Sequence, residues 1–441
     1  MRYHLVTLGC QMNMADSEKV VAMLNKMGYT HTEKEEEADV IGILACSVRQ
    51  KAIDKVYGRI TKWNKWKNNR ELITFASGCI LPDDKQKFLK LFDLVFDIAE
   101  LEQLPDMMAQ YGVSSQAANH MAFNLQKQQL NSFWRLPHEY QSPFEAFVPI
   151  QNGCDKFCSF CAVPYTRGRE VSRPSGEILE EVKSLIEKGY KSITLLGQNV
   201  NSYGKDKNGE ELDFRSLLER IGEMGDEMNG DFWLYFTSPH PRDMTSDIFE
   251  TMAKYKCLAK QIHLPMQAGD DKILIKMNRK HSMSHYDAIV ADFRRILPTA
   301  TLFTDIIVGF TGEEEEHFEN TRLAVKKHAF NMAYIAMYSP RPGAASHRWD
   351  DTETQDEKKR RLAVLSGDLS EVSIVYNEQL MGKEVKVLVR GTDKASGFLS
   401  GHTEGKIVVR FASKNQKLVG QFVTLKITSV TPFSMEGELV R

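Results

Sequence analysis

Along the first hundred residues, short apolar runs alternate with stretches whose apolar positions recur at helical spacing. YHLVTL, ADVIGILA and ELITFAS read as strands, and DSEKVVAMLNKMGY and VRQKAIDKVYGRITKW as amphipathic helices. Strand–helix–strand alternation of this kind predicts βαβ units and a parallel sheet. From Phe147 to about Glu378 the alternation resumes on a larger scale, with strand candidates FVPIQ, KSITLL, FWLYF, KQIHL, TLFTDIIVGF and AYIAMY. Helices such as SGEILEEVKSLIEKG and EEEEHFENTRLAVKKH separate them. Six such units predict a partial (β/α)6 barrel whose active site lies at the C-terminal mouth of the strands.

The charged stretch TQDEKKRRLAVLSGDLSEVSIVYNEQL predicts a long helix with a solvated face. Beyond it GKEVKVLVR, GKIVVRFA and FVTLKITSVTPF alternate at period two around polar turns, which predicts a small antiparallel β-barrel. Residues 111–143 are rich in Gln, Asn and Ser and lack periodicity, so they read as a linker, with Phe133 and Trp134 able to dock on a neighbouring domain. The predicted organisation is α/β throughout: residues 1–112 form a parallel α/β domain, 113–143 a linker, 144–378 the partial barrel and 379–441 the small antiparallel β-barrel. No internal repeat is present.

Composition changes this picture in two ways. No apolar run approaches the roughly 20 residues that span a bilayer, and there is no apolar N-terminal leader, so a cytoplasmic location with reduced thiols is expected. The formal net charge of −2 conceals an asymmetry. From Met381 onward ten Lys and Arg face five Asp and Glu, leaving that segment at +5 and the rest at −7. A basic tail on an acidic body keeps a nucleic-acid partner open.

The chemistry concentrates in seven cysteines. Cys154, Cys158 and Cys161 form a CxxxCxxC run directly after the first barrel strand. Three thiolates at this spacing can hold three corners of a 4Fe–4S cluster and leave the fourth iron open to a small molecule. Structural zinc would want a second knuckle, and none is present. Cys10, Cys46 and Cys79 each follow one of the first three strands, and the C-terminal ends of parallel strands converge on one edge. These three therefore predict a second three-cysteine cluster site. Cys257 fits neither triad and reads as core.

The run GCDKFCSFCAVPYTRGREVSRP, with Phe160 before the last cysteine, resembles the radical S-adenosylmethionine (SAM) enzymes. Together with LGCQMNMADSEKV, CSVRQKA and SGC before it, and LLGQNVNSYG, TSPHP, HLPMQAG, TDIIVGFTGE and MYSPRPGAA after it, the chain resembles the methylthiotransferase branch over essentially its whole length. Its tail is similar to the TRAM domain, an RNA-associated barrel. GCQMN, DSE and PYTRGRE are similar to the group acting on N6-isopentenyladenosine beside the anticodon of tRNA.

The resemblance implies two 4Fe–4S clusters, S-adenosyl-L-methionine, the anticodon stem-loop of tRNA as partner and a reduced donor such as flavodoxin or ferredoxin. Cys154, Cys158 and Cys161 would hold the SAM cluster, and Cys10, Cys46 and Cys79 an auxiliary cluster whose open iron carries the sulfur to be transferred. One SAM would methylate that sulfur, and a second would yield the radical that takes hydrogen from carbon 2 of the adenine. Related alternatives are a ribosomal-protein aspartate or a threonylcarbamoyladenosine as substrate. A non-catalytic iron–sulfur RNA-binding protein is the alternative from another class.

Further residues are candidates on weaker grounds. Gly197, Gln198 and Asn199 end a barrel strand where backbone and amides can meet the cofactor, and Gly309 and Glu313 resemble the turn that passes the adenine of SAM. Gln11 and Asn13 flank Cys10, able to reach the target base or to cap the next helix with Asp16. Arg167, Arg169 and Arg173 offer phosphate or carboxylate binding. His263 is expected to be structural. The chain departs from the family's usual residues at Leu44-Ala45, Ile80-Leu81-Pro82, Ala268, Thr311 and His402; none removes a cluster ligand.

Overall fold

In the computed structural model, residues 1–48, 50–110 and 125–440 are described, those of 125–129 by backbone alone. The N-terminal strands pair as a five-stranded parallel sheet in the order Thr30–His31, Arg2–Thr7, Val40–Cys46, Ile73–Cys79, Leu94–Val95. Every residue of Val40–Cys46 is buried, as a central parallel strand covered on both faces requires. Its side chains divide by pleat. Val40 and Leu44 pack against Val20, Met23 and Leu24 of the helix Gln11–Lys26, while Ile41, Ile43 and Ala45 pack against Ile53, Val56, Ile60 and Trp63 of the helix Gln50–Trp66. The two outer strands are two residues long each, too short to leave a periodic signal.

The stretch read as a linker differs from expectation. Leu125–Arg135 is a helix, and its Leu130, Phe133 and Trp134 are buried in the same cluster as Leu101, Leu104 and Met108. The three side chains fall on one helical face and complete the N-terminal core, a tertiary gain that outweighs the helix's polar composition. The first part of the linker, 111–124, lies outside the described residues.

Six parallel strands form the central unit: Glu145–Pro149, Ser192–Leu196, Trp233–Phe236, Gln261–His263, Thr301–Val308 and Met332–Met337. They hydrogen-bond as two three-stranded sheets. A single bridge joins the two, where Leu234 N–H donates to Cys257 O at 2.7 Å and Ala259 N–H to Leu234 O at 3.0 Å. Cys257 is a core residue there, so close to Gly225 that a Cβ on that glycine would come within 2.7 Å of its sulfur. No described helix is long and apolar enough to cross a membrane.

The helix Gln355–Glu378 leads into a closed five-stranded barrel of Glu384–Thr392, Phe398–Thr403, Val408–Ala412, Ser434–Leu439 and Phe422–Val430. It is not wholly antiparallel, because Val408–Ala412 runs parallel to Ser434–Leu439 and closes the ring. This barrel docks on the N-terminal ends of the central strands. Thr301 donates to Gly405 O at 2.8 Å, Lys260 N–H to Glu404 at 3.0 Å, and Arg390 pairs with Glu145 at 2.7 Å. The tail therefore sits at the end of the central unit opposite its mouth.

The first helix meets the central unit through buried charge. Glu18 accepts from Gln141 N–H at 3.1 Å, Lys19 donates to the carbonyls of Trp134 and Leu136, and Glu181 gathers Arg173, His138 and Tyr140. Burial pushes the Glu18 carboxyl up to about 7, Glu181 adding to the rise and the Gln141 N–H and Lys19 opposing it. A carboxyl raised on folding contributes stability that is full below its unfolded value of 4.5 and lost as pH rises through about 7. Glu18→Gln, which cannot ionise, is expected to gain on the wild type between these limits, by up to about 3 kcal/mol at pH 8. Denaturant unfolding over a pH series checks this; a pH-independent difference would contradict it.

Candidate functional site

The first cysteine set is assembled by strand geometry. Cys46 and Cys79 end neighbouring parallel strands and are register partners across the ladder. Cys10 is the N-cap of the helix Gln11–Lys26, entered through Gly9 at φ +114°. The glycine is required: a Cβ there would lie 2.8 Å from Cys46 Cβ. Burial pushes the Cys79 thiol up to about 12, and the neighbouring Cys10 and Cys46 add to the rise. All three sulfurs thus share one edge of the sheet.

Behind this edge lies a buried polar core. Asn13 donates from Nδ2 to Leu8 O at 2.7 Å and Ala45 O at 2.8 Å, and its Oδ1 accepts from Arg167 at 2.9 Å. Because the bond at position 45 uses the backbone carbonyl, the unusual Leu44-Ala45 pair leaves it intact. Arg167 also pairs with Asp16 at 2.6 Å and donates from Nε to Cys79 Sγ at 2.8 Å and from Nη1 to Asn152 Oδ1 at 3.1 Å. Asn13 and Arg167 were both candidates for substrate contact. Asn13 and Arg167 are buried and committed to these partners, whereas Gln11 stays half exposed at the first turn of its helix.

The second set follows the strand Glu145–Pro149 on a loop pinned from several sides. Gln198 Oε1 accepts from Gly153 N–H at 2.5 Å, and a Cβ on Gly153 would collide with Arg169 O at 2.0 Å. Ser159, between Cys158 and Cys161, donates to Met277 O at 3.0 Å and Lys276 O at 2.8 Å, and Arg279 Nη1 lies 3.4 Å from Cys158 Sγ. Burial raises the Cys161 thiol to about 12 and the Cys154 thiol to about 11, with the other thiols of the set contributing. Buried thiols of this kind lose their protons to a bound cation, so loading releases protons.

Cofactor fit is tested by the polar atoms left over at the barrel mouth. Gln151 Oε1, Glu170 Oε2, Asn199 Oδ1, His240 Nε2 and Arg279 Nε are buried without hydrogen-bond partners among the described residues. Buried polar groups are seldom left unpaired in a protein with nothing to bind. SAM, with an ammonium, a carboxylate, ribose hydroxyls and an adenine, supplies complementary groups for such a set. Each thiol triad also offers the sulfur donors of a 4Fe–4S cluster. Among the described residues no three Cys, His, Asp or Glu side chains close on one ion, the arrangement a mononuclear zinc site would need.

Other sequence candidates fall into place as follows. Gly197 and Asn199 lie at this mouth, beside Gln151 and Ser202 respectively. Gly309 and Glu313 close a turn in which the Glu313 carboxylate takes the Gly309 N–H and pairs with Arg361 at 2.9 Å, while Glu313 Oε1 is buried without a hydrogen-bond partner among the described residues. Arg169 is exposed, paired with Asp155 at 2.8 Å and stacked 5.4 Å over the ring of Phe157. Arg173 belongs to the Glu181 network, and His263 pairs with Asp305 at 3.0 Å as a structural residue. His402 is largely buried and pushed down to about 4, so it carries no charge toward RNA at neutral pH.

Sequence reasoning missed the ion pair between Lys156 and Asp243, at 2.6 Å and buried, and beside it Arg279 and His240, whose imidazole burial pushes strongly down. The run TSPHP signalled a strand end at His240, but the pairing joins positions 87 residues apart and has no local trace. A cavity of about 710 Å³ is lined by Asp83, Tyr165, Gly343, His347, Arg348 and Trp349. It lies where the N-terminal sheet, the second cysteine loop and the loop after the last barrel strand meet; Arg341 of that loop donates to Gln50 at 2.8 Å.

Comparison with known proteins agrees with this layout. Residues 2–98 match an uncharacterized protein family, UPF0004, residues 148–325 the radical SAM superfamily, and residues 378–440 the TRAM domain. A tRNA-2-methylthio-N(6)-dimethylallyladenosine synthase of Thermoanaerobacter sp. (strain X514) is 38% identical, over 99% of this chain and 92% of the relative. One from Haemophilus ducreyi is 36% identical, over 100% and 92%. Among solved structures, the radical SAM methyltransferase TsrM from Kitasatospora setae aligns with a TM-score of 0.58 at 13% identity, covering 92% of this chain and 80% of that one, a likeness of fold. With full-length identity at this level and all three regions matched in order, the chain belongs to the radical SAM methylthiotransferases, the family of the tRNA-2-methylthio-N(6)-dimethylallyladenosine synthases.

Proposed function

We propose that this chain converts N6-isopentenyladenosine next to the anticodon of tRNA to its 2-methylthio derivative. The observation that carries the reading is the meeting of two three-cysteine loops across one buried arginine. Arg167 reaches Cys79 of the first set and Asn152, two residues before Cys154 of the second. A radical generator and a sulfur donor held this close suit replacement of an aryl C–H hydrogen, which is too strong a bond and too weak an acid for base chemistry.

Cys154, Cys158 and Cys161 would hold the cluster that reduces SAM, and Cys10, Cys46 and Cys79 a second cluster supplying the sulfur; together these groups provide radical C–H activation and sulfur insertion. The chain's own residues bind, orient and exclude water. Gln198 fixes the loop before Cys154, while Gln151, Asn199 and Arg279 present unpaired polar atoms to SAM. The cavity lined by Tyr165 and Trp349 accepts the extruded nucleotide. Exposed Phe157 and Tyr165, with Arg169 stacked on Phe157, offer faces for neighbouring bases.

The basic tail grips RNA phosphates. Since it docks on the opposite ends of the barrel strands, the RNA spans at least a strand length, about 20 Å for six residues. A stem-loop has that reach, and a single protein side chain such as an aspartate does not use it. Electrons would come from a small donor such as flavodoxin or ferredoxin, and the setting is cytoplasmic, where thiols stay reduced. The working units are 1–112, 144–378 and 379–441, with the helix Leu125–Arg135 counted with the N-terminal core.

Two outcomes are expected. Isopentenylated anticodon-loop RNA incubated anaerobically with reconstituted protein, SAM and reductant gains a methylthio group by nucleoside mass spectrometry; RNA unchanged while 5′-deoxyadenosine accumulates would reject this substrate. Alanine at all three of Cys10, Cys46 and Cys79 is expected to leave about four iron per chain instead of about eight and to abolish methylthiolation. Full iron in that variant would refute the second cluster.

A further inference from the structure

Arg167 is a buried cation whose four side-chain partners come from three separate elements. The guanidinium donates to Cys79 Sγ at 2.8 Å from Nε, to Asn13 Oδ1 at 2.9 Å and Asp16 Oδ2 at 2.6 Å from Nη2, and to Asn152 Oδ1 at 3.1 Å from Nη1. Its backbone carbonyl accepts from Asn152 Nδ2 at 3.0 Å, so the pair is bonded in both directions. Arg167 and Asp16 are 6% and 1% exposed. Taking two charges out of water is unfavourable, and a pair of this kind is weak evidence for stability alone.

We propose that Arg167 is a positioning residue that sets both the electron affinity of the auxiliary cluster and its alignment with the SAM cluster. This rests on the two-cluster reading above. A cation and an N–H donor at a cluster thiolate withdraw electron density from the sulfur, and hydrogen bonds to sulfur are among the factors that set cluster potential. Arg167 therefore makes the auxiliary cluster easier to reduce, while Asp16, 2.6 Å from Nη2 of the guanidinium, moderates that pull. The bonds to Asn152 tie the same guanidinium to the loop entering Cys154, so one planar group fixes the register between the two cysteine sets. Lysine has the charge but lacks the fork that reaches all these partners at once.

The test uses full-length protein with Cys154, Cys158 and Cys161 replaced by alanine, so that only the auxiliary cluster remains, and measures its potential by redox titration followed by electron paramagnetic resonance. Arg167→Gln is expected to shift the potential down and Asp16→Asn to shift it up, both with iron content kept at the parent's level. With all six cysteines present, Arg167→Gln is expected to raise the 5′-deoxyadenosine formed per methylthiolated product at least several-fold, and Arg167→Lys to recover the potential but not the coupling.

Potentials that stay at the parent's value in both variants, or that move in the same direction, would overturn the proposal. Should Arg167→Gln fail to fold, the upward shift in Asp16→Asn carries the test, since a purely structural arginine predicts no such sign. A triple-alanine parent that binds no iron would instead refute the second cluster itself, a different failure from unchanged potentials on a loaded cluster.

Discussion

Parallel pairing is the constraint on which the rest depends. In a parallel sheet every strand leaves on the same edge, so whatever residues follow the strands are delivered to one line of loops. Here the ladder pairs Cys46 with Cys79 directly and brings Cys10 beside them through a glycine turn that no other residue could take without striking Cys46. The central unit obeys the same rule, delivering Cys154, Cys158 and Cys161, the Gly197–Asn199 turn and His240 to its own mouth. The two edges meet at Arg167, which donates to Cys79 of one triad and to Asn152, two residues before Cys154 of the other.

Holding the two edges together falls to polar groups. Arg167 with Asp16 and Asn13, and Glu181 with Arg173, His138 and Tyr140, lie between the first helix and the barrel loops. An apolar seam would bind as well but would tolerate sliding. Directional bonds to buried charges fix one register, because each misplacement leaves an unpaired group in a medium of low dielectric. The tail adds aromatic contact to its polar bonds, with Trp233 against Phe422 at 4.5 Å and Lys386 stacked over the same ring, at the N-terminal end of the strands. The cysteine-bearing mouth and the TRAM-like barrel thereby lie at opposite ends of the central unit.

What the chain reveals in advance follows from how local each signal is. Period-two and helical patterns announced the three longer N-terminal strands and the six barrel strands, and with them the edge on which the cysteines meet. Strands that leave little pattern escaped: Thr30–His31 and Leu94–Val95 are too short, and Ser434–Leu439 carries Gly437 where Lys426 O crowds the backbone. The helix Leu125–Arg135 was hidden by its glutamines, although among its described side chains Leu130, Phe133 and Trp134 face the core. The burial of Arg167 was not legible, because its counter-ion, Asp16, lies 151 residues earlier, and no local pattern carries such a pairing.

The central claim is that one radical, generated at the Cys154–Cys158–Cys161 loop, removes the hydrogen from carbon 2 of a nucleotide seated between the two triads. The most direct measurement is isotope transfer: isopentenylated anticodon-loop RNA deuterated at carbon 2 of the target adenine, turned over anaerobically, with the 5′-deoxyadenosine analysed by mass spectrometry. The account predicts one deuterium in 5′-deoxyadenosine for each methylthiolated base. Methylthiolated RNA formed alongside 5′-deoxyadenosine free of deuterium would contradict it.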